Sequence, residues 1–424
     1  MKLTVIGGGS TYTPELVDGF ARLRDLLPLD ELALVDPDPH RLELVAGVSR
    51  RMFARAGYPV TVSPTADVVA GVADADAVLF QLRIGGQAAR QQDETWPHQC
   101  GCIGQETTGP GGFAKALRTV PVVLQLADEV RRHARPDAWI VDFTNPVGIV
   151  TRALLQEGHR AVGLCNVAIG FQRRFARLLG VEPAAVELEH VGLNHLTWER
   201  AVRVGGIDRL PELFAAHRDD LAEEVELPAS LLERLGSVPS YYLRYYYAHD
   251  EVLAEQTAPG ATTRAEAVLD VERELLEAYA DPAVDTKPEA LTRRGGAFYS
   301  EAAVDLLASL TADRGDVQVV NVRNDGALPF LPDDHVVEIP ATISASGIAT
   351  AGSSARAPLP DDVTGLIAHV AAYERLALDA AVHGGMDRVV RALLAHPLVG
   401  QYAKAEKLAD LLVAHNRAHL AWAR

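Results

Sequence analysis

Gly7-Gly8-Gly9-Ser10-Thr11-Tyr12-Thr13-Pro14 follows directly on Met1-Lys2-Leu3-Thr4-Val5-Ile6, a short apolar run. A strand that stops at three glycines and restarts as a helix is a turn suited to phosphate. Glycine accepts positive φ and lacks the Cβ that would keep a pyrophosphate off the backbone amides. Thr13 reads as the helix N-cap and Pro14 as the first helical residue, where a missing N–H costs nothing. Leu16, Val17 and Phe20 then recur at the spacing of a helix packed on a sheet. The dinucleotide fingerprint is Gly-x-Gly-x-x-Gly after a strand. Gly7 and Gly9 fit it, and Tyr12 stands where the third glycine would be.

The next strand decides what the turn holds. Leu32-Ala33-Leu34-Val35 ends at Asp36-Pro37-Asp38. An acid at the end of the second strand is where the ribose hydroxyls of NAD are bound. The bland alternative for Asp36 is a turn residue before Pro37. With both halves of the unit present, NAD is the favoured cofactor.

Further along, Val60-Thr61-Val62, Ala77 to Gln81, Trp139 to Phe143 and Ala161 to Leu164 read as strands, and Leu117 to Arg132 has helical periodicity. This alternation predicts an α/β fold in which a doubly wound parallel sheet, a Rossmann domain over 1–165, carries ligands at its C-terminal edge. The strands end in polar clusters: Arg83-Ile84-Gly85-Gly86, Thr144-Asn145-Pro146 and Cys165-Asn166. Past about residue 170 the pattern changes. Strands are expected around Glu187–Val191, Val317–Val322 and Val336–Ile339, with a hairpin at Val202–Ile207 and helix over most of 361–424. Residues 166–424 read as a second, α+β domain closing over the first. Ser344 to Pro360, rich in Ala, Ser, Gly and Pro, reads as a flexible surface stretch.

Composition narrows the function classes. The 424-residue chain is 48% hydrophobic and 23% charged, with a net charge of −17. That charge speaks against a nucleic-acid partner. No apolar run is long enough to suggest a membrane span. There is no N-terminal signal pattern, and the three cysteines (Cys100, Cys102, Cys165) make no disulfide framework, so a reducing, cytoplasmic setting is expected. An anionic substrate would have to meet local arginines.

Four constellations can carry chemistry. Cys165 and His195, a thiol and an imidazole at two strand ends, can hold a divalent metal with open positions. Spacing alone favours a buried cysteine beside a structural histidine instead. Gln105-Glu106-Thr107-Thr108-Gly109-Pro110-Gly111-Gly112 reads as a rigid polar loop, able to carry a carboxylate into a site or to be only a turn. Arg90, above the sheet, can take a carboxylate or phosphate by paired hydrogen bonds or be a solvated charge. Tyr241 to Tyr247 concentrates five of the chain's eleven tyrosines, mostly a packing surface, although one beside a cation can act as a base.

In this order the pieces resemble glycoside hydrolase family 4, the NAD- and metal-dependent glycosidases. The markers are Gly7 to Pro14, Arg83 to Arg90, Gly104-Gln105-Glu106-Thr107 through Gly112, Thr144-Asn145-Pro146, Gly163-Leu164-Cys165-Asn166, Gly192-Leu193-Asn194-His195, Pro239-x-x-Tyr242-Leu243-x-Tyr245-Tyr246 and Asn321-x-x-Asn324-x-Gly326. The resemblance implies a fold like that of lactate and malate dehydrogenases, usually assembled as dimers or tetramers. It implies that Cys165 and His195 bind a divalent ion, usually Mn²⁺, and that Tyr242 removes the C2 proton of the sugar. Glu106 would raise that tyrosine's basicity. Gly7, Gly8, Gly9, Ser10, Thr11, Asp36 and Asn145 would meet NAD, and Arg90, Asn145, Asn166 and Arg264 the sugar or its phosphate.

Asn166 after the metal cysteine is similar to the 6-phospho-β-glucosidase branch, whereas the α-glucoside branch carries Asp there. The implied reaction oxidises C3, deprotonates C2, eliminates the C1 substituent, adds water and returns the hydride. A phosphorylated disaccharide such as cellobiose 6-phosphate is the implied substrate. Ala168 and Phe330 replace a Pro and an Asn common in the family, which leaves an unphosphorylated galactoside, glucoside or glucuronide as the alternative. A hydroxy-acid dehydrogenase sharing only the fold is a more distant one.

Overall fold

The computed structural model describes residues 1–295, 298–350 and 358–423. Its main sheet opens with six strands: β1 (Lys2–Ile6), β2 (Glu31–Val35), β3 (Thr61–Thr65), β4 (Ala77–Phe80), β5 (Trp139–Asp142) and β6 (Ala161–Gly163). They lie parallel in the order β3-β2-β1-β4-β5-β6, the doubly wound arrangement. A parallel sheet needs cover on both faces, so its strands are apolar throughout. Leu3, Val5, Leu32, Leu34, Val78, Leu79, Val141 and Val162 are all fully buried. Each such side chain contributes about 1.5–3 kcal/mol relative to an exposed one. One helical layer joins Thr13–Arg22, Pro39–Arg55, Arg264–Ala280 and Tyr299–Ala312, and the other joins Gly109–His133, Val147–Gln156 and Asp361–His383.

The C-terminal half supplies strands to both sheets. The strands β7 (Val186–Leu193), β8 (Leu196–Val204), β9 (Ile207–Asp208) and β10 (Val238–Pro239) form a small antiparallel sheet, with the expected hairpin between β8 and β9. The remaining three, β11 (Asp316–Arg323), β12 (Val336–Ser344) and β13 (Gly347–Ala349), extend the main sheet beyond β6, all antiparallel. The main sheet therefore continues across the division expected between residues 165 and 166, and β12 also packs against β7.

Three local expectations change. Tyr12, not Thr13, is the N-cap of the first helix, and the Thr13 hydroxyl instead donates to Gly8 O at 3.0 Å, bracing the turn from within. The helix expected from Leu117 begins at Gly109, with Pro110 in its first turn, where proline is tolerated. Glycine and proline there masked a helix start as a loop. Of the stretch read as flexible, Ser344 ends β12, Ala345 and Ser346 make the turn, Gly347 to Ala349 form β13, and residues 351–357 lie outside the described residues.

Candidate active site

Because β1, β2, β4, β5 and β6 run parallel, the segments after them share one edge of the sheet. After β1, the amides of Gly7 and Gly8 both donate to Val35 O at 2.9 Å, and Gly9 N donates to Asp36 Oδ2 at 3.0 Å. Gly7 holds φ at 89°. A Cβ on Gly7 would stand 2.6 Å from Gln81 O, and one on Gly9 would stand 2.7 Å from Asp36 Cγ. The turn is therefore a cradle of bare backbone closed against an acid at the end of β2, which fits a dinucleotide. Burial raises the Asp36 carboxyl, and the amides of Asp38 and Gly9 oppose that.

The far half of the chain closes on this turn. Tyr279 donates its hydroxyl to Thr11 O at 2.7 Å, and Arg294 Nε reaches Thr11 Oγ1 at 3.4 Å. Arg41 donates to Gly9 O at 3.3 Å, and Arg41 and Arg294 both pair with the buried Glu272.

After β5 comes a cis Asn145–Pro146 peptide. The buried Asn145 Oδ1 has no hydrogen-bond partner among the described residues. An unpaired buried acceptor fits a ligand hydroxyl or amide. Beneath it Asp142 is fully buried, and burial pushes its carboxyl up to about 8 against the bond from Thr144 N.

After β6, Cys165 is buried and Asn166 is the N-cap residue of the Val167–Leu179 helix. Burial pushes the Cys165 thiol up. Glu338 adds to that, while Val167 N–H, the Asn194 side chain and the Tyr299 hydroxyl favour the thiolate. His195 sits at the β7–β8 turn with φ of 63° and is 7% exposed. Burial lowers its pKa to about 4, so the ring is neutral at pH 7. It lies flat on Tyr242, with ring centroids 3.6 Å apart and 4° between planes. Tyr242 in turn feels the charge of Cys165, and Glu338 acts on both Cys165 and His195. The thiol, the imidazole and the phenol thus share one neighbourhood. Among the described residues no group of three or more His, Cys, Asp or Glu could hold a metal. A cation would rest on the sulfur and one imidazole nitrogen, a donor set that fits a first-row divalent ion with most positions open.

Glu106 is buried among cations. It pairs with Arg83, with Lys115 Nζ at 2.6 Å and with Arg90 Nη2 at 3.2 Å. Burial alone would raise Glu106, but Arg83, Lys115 and Arg90 hold it well below the usual carboxylate range. Arg90 also holds Glu94 at 2.6 Å, so its two faces are engaged by acids. Burial raises the Tyr242 phenol, with Cys165, Glu106 and Tyr241 adding to that and Arg90 opposing. Tyr242, Glu106, Arg90 and Arg264 line one cavity of about 490 Å³. Arg264 opens the Arg264–Ala280 helix behind the Thr263 cap. It is exposed, donates to Arg293 O at 2.9 Å, and makes no ion pair among the described residues. Cys165 and Ala168 line a separate, larger cavity of about 1050 Å³, and Phe330 stands 38% exposed outside both.

The sequence reading missed Thr107, Lys115, Asn194, Tyr299 and Glu338. Two carried a signal. Lys115 interrupts Phe113-Ala114-Lys115-Ala116-Leu117, and Glu338 interrupts Val336-Val337-Glu338-Ile339. A lone charge in an apolar segment is a buried, paired charge. Glu338 accepts from Asn194 Nδ2 at 2.7 Å, Asn321 Nδ2 at 3.0 Å and His190 Nε2 at 3.1 Å.

A dinucleotide cradle, an orphan acceptor and a thiol on one sheet edge, met by an imidazole from the β7–β8 turn, define an enzyme of the dehydrogenase-like fold. A malate dehydrogenase from Salinibacter ruber shares that fold, with a TM-score of 0.52 at 17% identity over 89% of this chain and 97% of that one. Family 4 glycosyl hydrolase matches residues 2–181, and the family's C-terminal domain matches residues 190–399. The chain belongs to family 4 of the glycosyl hydrolases. A probable 6-phospho-beta-glucosidase of Bacillus subtilis strain 168 is 39% identical, over 99% of this chain and 97% of its own. The 6-phospho-beta glucosidase of Thermotoga maritima, solved with manganese, NAD⁺ and glucose-6-phosphate, superposes with a TM-score of 0.91 at 35% identity, covering 99% of each chain.

Proposed function

We propose that this chain is a 6-phospho-β-glucosidase that uses NAD and Mn²⁺ and acts on a phosphorylated β-glucoside such as cellobiose 6-phosphate. The observation that carries the phosphate is Arg264. Every other guanidinium lining the Tyr242 cavity is taken by carboxylates: Arg90 by Glu94 and Glu106, Arg244 by Glu226 and Glu255. Among the described residues, Arg264 is the guanidinium of this cavity that makes no ion pair, and it can meet an anion. Asn166 after Cys165 supports the β branch, because an amide cannot give the leaving group a proton.

When bound, NAD supplies a reversible hydride acceptor and the divalent ion a Lewis acid. Gly7, Gly8, Gly9, Ser10 and Thr11 would bring the pyrophosphate against backbone that carries no Cβ at its three glycines, and Asp36 would take the ribose hydroxyls. Cys165 Sγ and a ring nitrogen of His195 hold the cation. Tyr242, once ionised beside the bound cation, would take the C2 proton of the sugar. Glu106 strengthens Tyr242 as a base, and Arg83 and Lys115 keep Glu106 ionised while it does so. Asn145 meets cofactor or sugar through its unpaired Oδ1, and Asn166 and Arg90 orient the glucosyl unit. The enzyme works in the cytoplasm as a dimer or tetramer.

The test is a panel of 4-nitrophenyl glycosides with and without the 6-phosphate, at fixed NAD⁺ and Mn²⁺. Turnover of the β-glucoside 6-phosphate that stops when either cofactor is withdrawn is the expected result. Equal turnover of the plain glycoside would instead favour an unphosphorylated galactoside, glucoside or glucuronide. Net NADH release with malate would mark a dehydrogenase.

A further inference from the structure

The Gln105–Thr108 turn ends in a chain of hydrogen bonds whose polarity can be read from its first atom. Gln105 Oε1 accepts from the backbone N–H of Thr107 and from that of Thr108 at 2.8 Å. Two backbone donors converging on one atom identify it as the amide oxygen, since an NH₂ group cannot accept. The Thr107 hydroxyl also lies 2.8 Å from this oxygen and must donate its only proton there. Thr107 Oγ1 lies 2.9 Å from His195 Nδ1. With its proton committed, that oxygen can only accept, so Nδ1 carries the ring proton. The lone pair available to a cation is then on Nε2.

From this geometry we infer that Thr107, polarised by Gln105, is the positioning residue of the metal site, fixing the tautomer and the plane of His195. The inference rests on Cys165 and His195 as the ligands. Metal-bound imidazoles depend on such an outer partner for orientation. Here the partner has a second effect, because the ring it holds is the one on which Tyr242 lies at 3.6 Å. A rotation of the His195 ring would move both the cation's nitrogen and the surface that supports the phenol.

The backbone around the turn is shaped to keep Thr107 there. A Cβ on Gly112 would stand 2.3 Å from Thr107 C, and one on Gly111 would stand 2.4 Å from Gln105 O. The first turn of the Gly109–His133 helix can approach the Gln105–Thr107 backbone only because both positions are glycine. Glu106, between Gln105 and Thr107, points instead to Arg83, Arg90 and Lys115. One turn therefore sends alternate side chains to the histidine and to the cation cluster.

Thr107→Val keeps the shape and removes the hydroxyl, and Thr107→Ser keeps the hydroxyl. Mn²⁺ affinity is measured by electron paramagnetic resonance of the free ion, and NAD affinity separately by fluorescence. Thr107→Val is expected to weaken Mn²⁺ by roughly 10–100-fold, the usual cost of losing an outer-shell partner. Thr107→Ser is expected to restore most of that affinity, and both variants to bind NAD as the parent does. In the Co²⁺-loaded protein the thiolate-to-metal absorption band is expected to shift in the valine variant. Unchanged Mn²⁺ affinity and an unchanged cobalt band in a valine variant that binds NAD normally would overturn the inference. If the parent and Cys165→Ser bind Mn²⁺ equally, the cation lies elsewhere, and it is the ligand assignment that fails.

Discussion

Tyr242 is the residue on which the proposed chemistry turns. Its phenol is raised by burial and by Cys165 and Glu106, so once ionised it is a strong base. Tyr242→Phe keeps the ring stacked on His195 and removes only the atom that takes the proton. A positioned general base is worth about 10²–10⁴ in rate. Loss of turnover in that range is expected, together with loss of C2 hydrogen exchange with solvent and unchanged NAD binding. Persistent exchange in a variant that still binds NAD would assign the base elsewhere. Not every part of this site was equally legible. Asp36 and the glycines stood out as a motif because one continuous strand–helix–strand unit contains them all. Cys165 and His195 could not be paired by spacing, because separate strand ends bring them together and no local periodicity records that. Thr107 was out of reach altogether, since its role depends on a rotamer and on the direction of one hydroxyl proton.

The strands show a similar division. β1 to β6 were readable because a sheet buried on both faces writes itself as short apolar runs. That β11, β12 and β13 join that sheet was not readable, since a strand's sequence does not name its partner. Their joining brings Glu338 of β12 beneath the site, between His190 of β7 and Asn194. His190 is buried, with Nδ1 2.5 Å from Glu199 Oε1 and Nε2 3.1 Å from Glu338 Oε1. Burial would lower its pKa, but the two carboxylates raise it to about 10. A histidine raised in the folded state stabilises fully below its unfolded pKa of about 6.5 and loses that contribution as pH rises through the folded value. The melting temperature should therefore fall between pH 7 and about pH 10 as the β7–β12 contact loses its charge. His190→Gln cannot titrate. It should cost about 3–5 kcal/mol at pH 7, the usual penalty for breaking a buried pair, and show a flatter pH profile. Differential scanning fluorimetry from pH 6 to 10.5 checks both (roughly the window over which the raised imidazole loses its proton). A parallel fall in parent and variant would place the titrating group elsewhere.

Across the whole molecule, the division expected at 165/166 does not divide the main sheet. Residues 2–181 match the family's first region and 190–399 its C-terminal domain, yet the main sheet draws β11 to β13 from the latter. The turn proposed to hold the cofactor is also braced from afar, by Tyr279 on Thr11, by Arg294 on Thr11 and, through Glu272, by Arg41 on Gly9. A ligand in that turn stabilises every element coupled to it. At a concentration of 100 times its Kd, NAD should add about 2.7 kcal/mol to the stability of the state that binds it. If the sheet and these bonds make one cooperative unit, calorimetry should show a single transition that NAD moves upward as a whole. Residues 1–165 expressed alone would expose the β6 edge and lose the helix Tyr299–Ala312 that packs on Thr13–Arg22. That fragment should bind NAD far more weakly than the full chain and melt without a sharp transition. Two separate transitions in the full protein, with NAD shifting only the first, would instead show that the Rossmann half folds and binds on its own and that the shared sheet adds little to its stability.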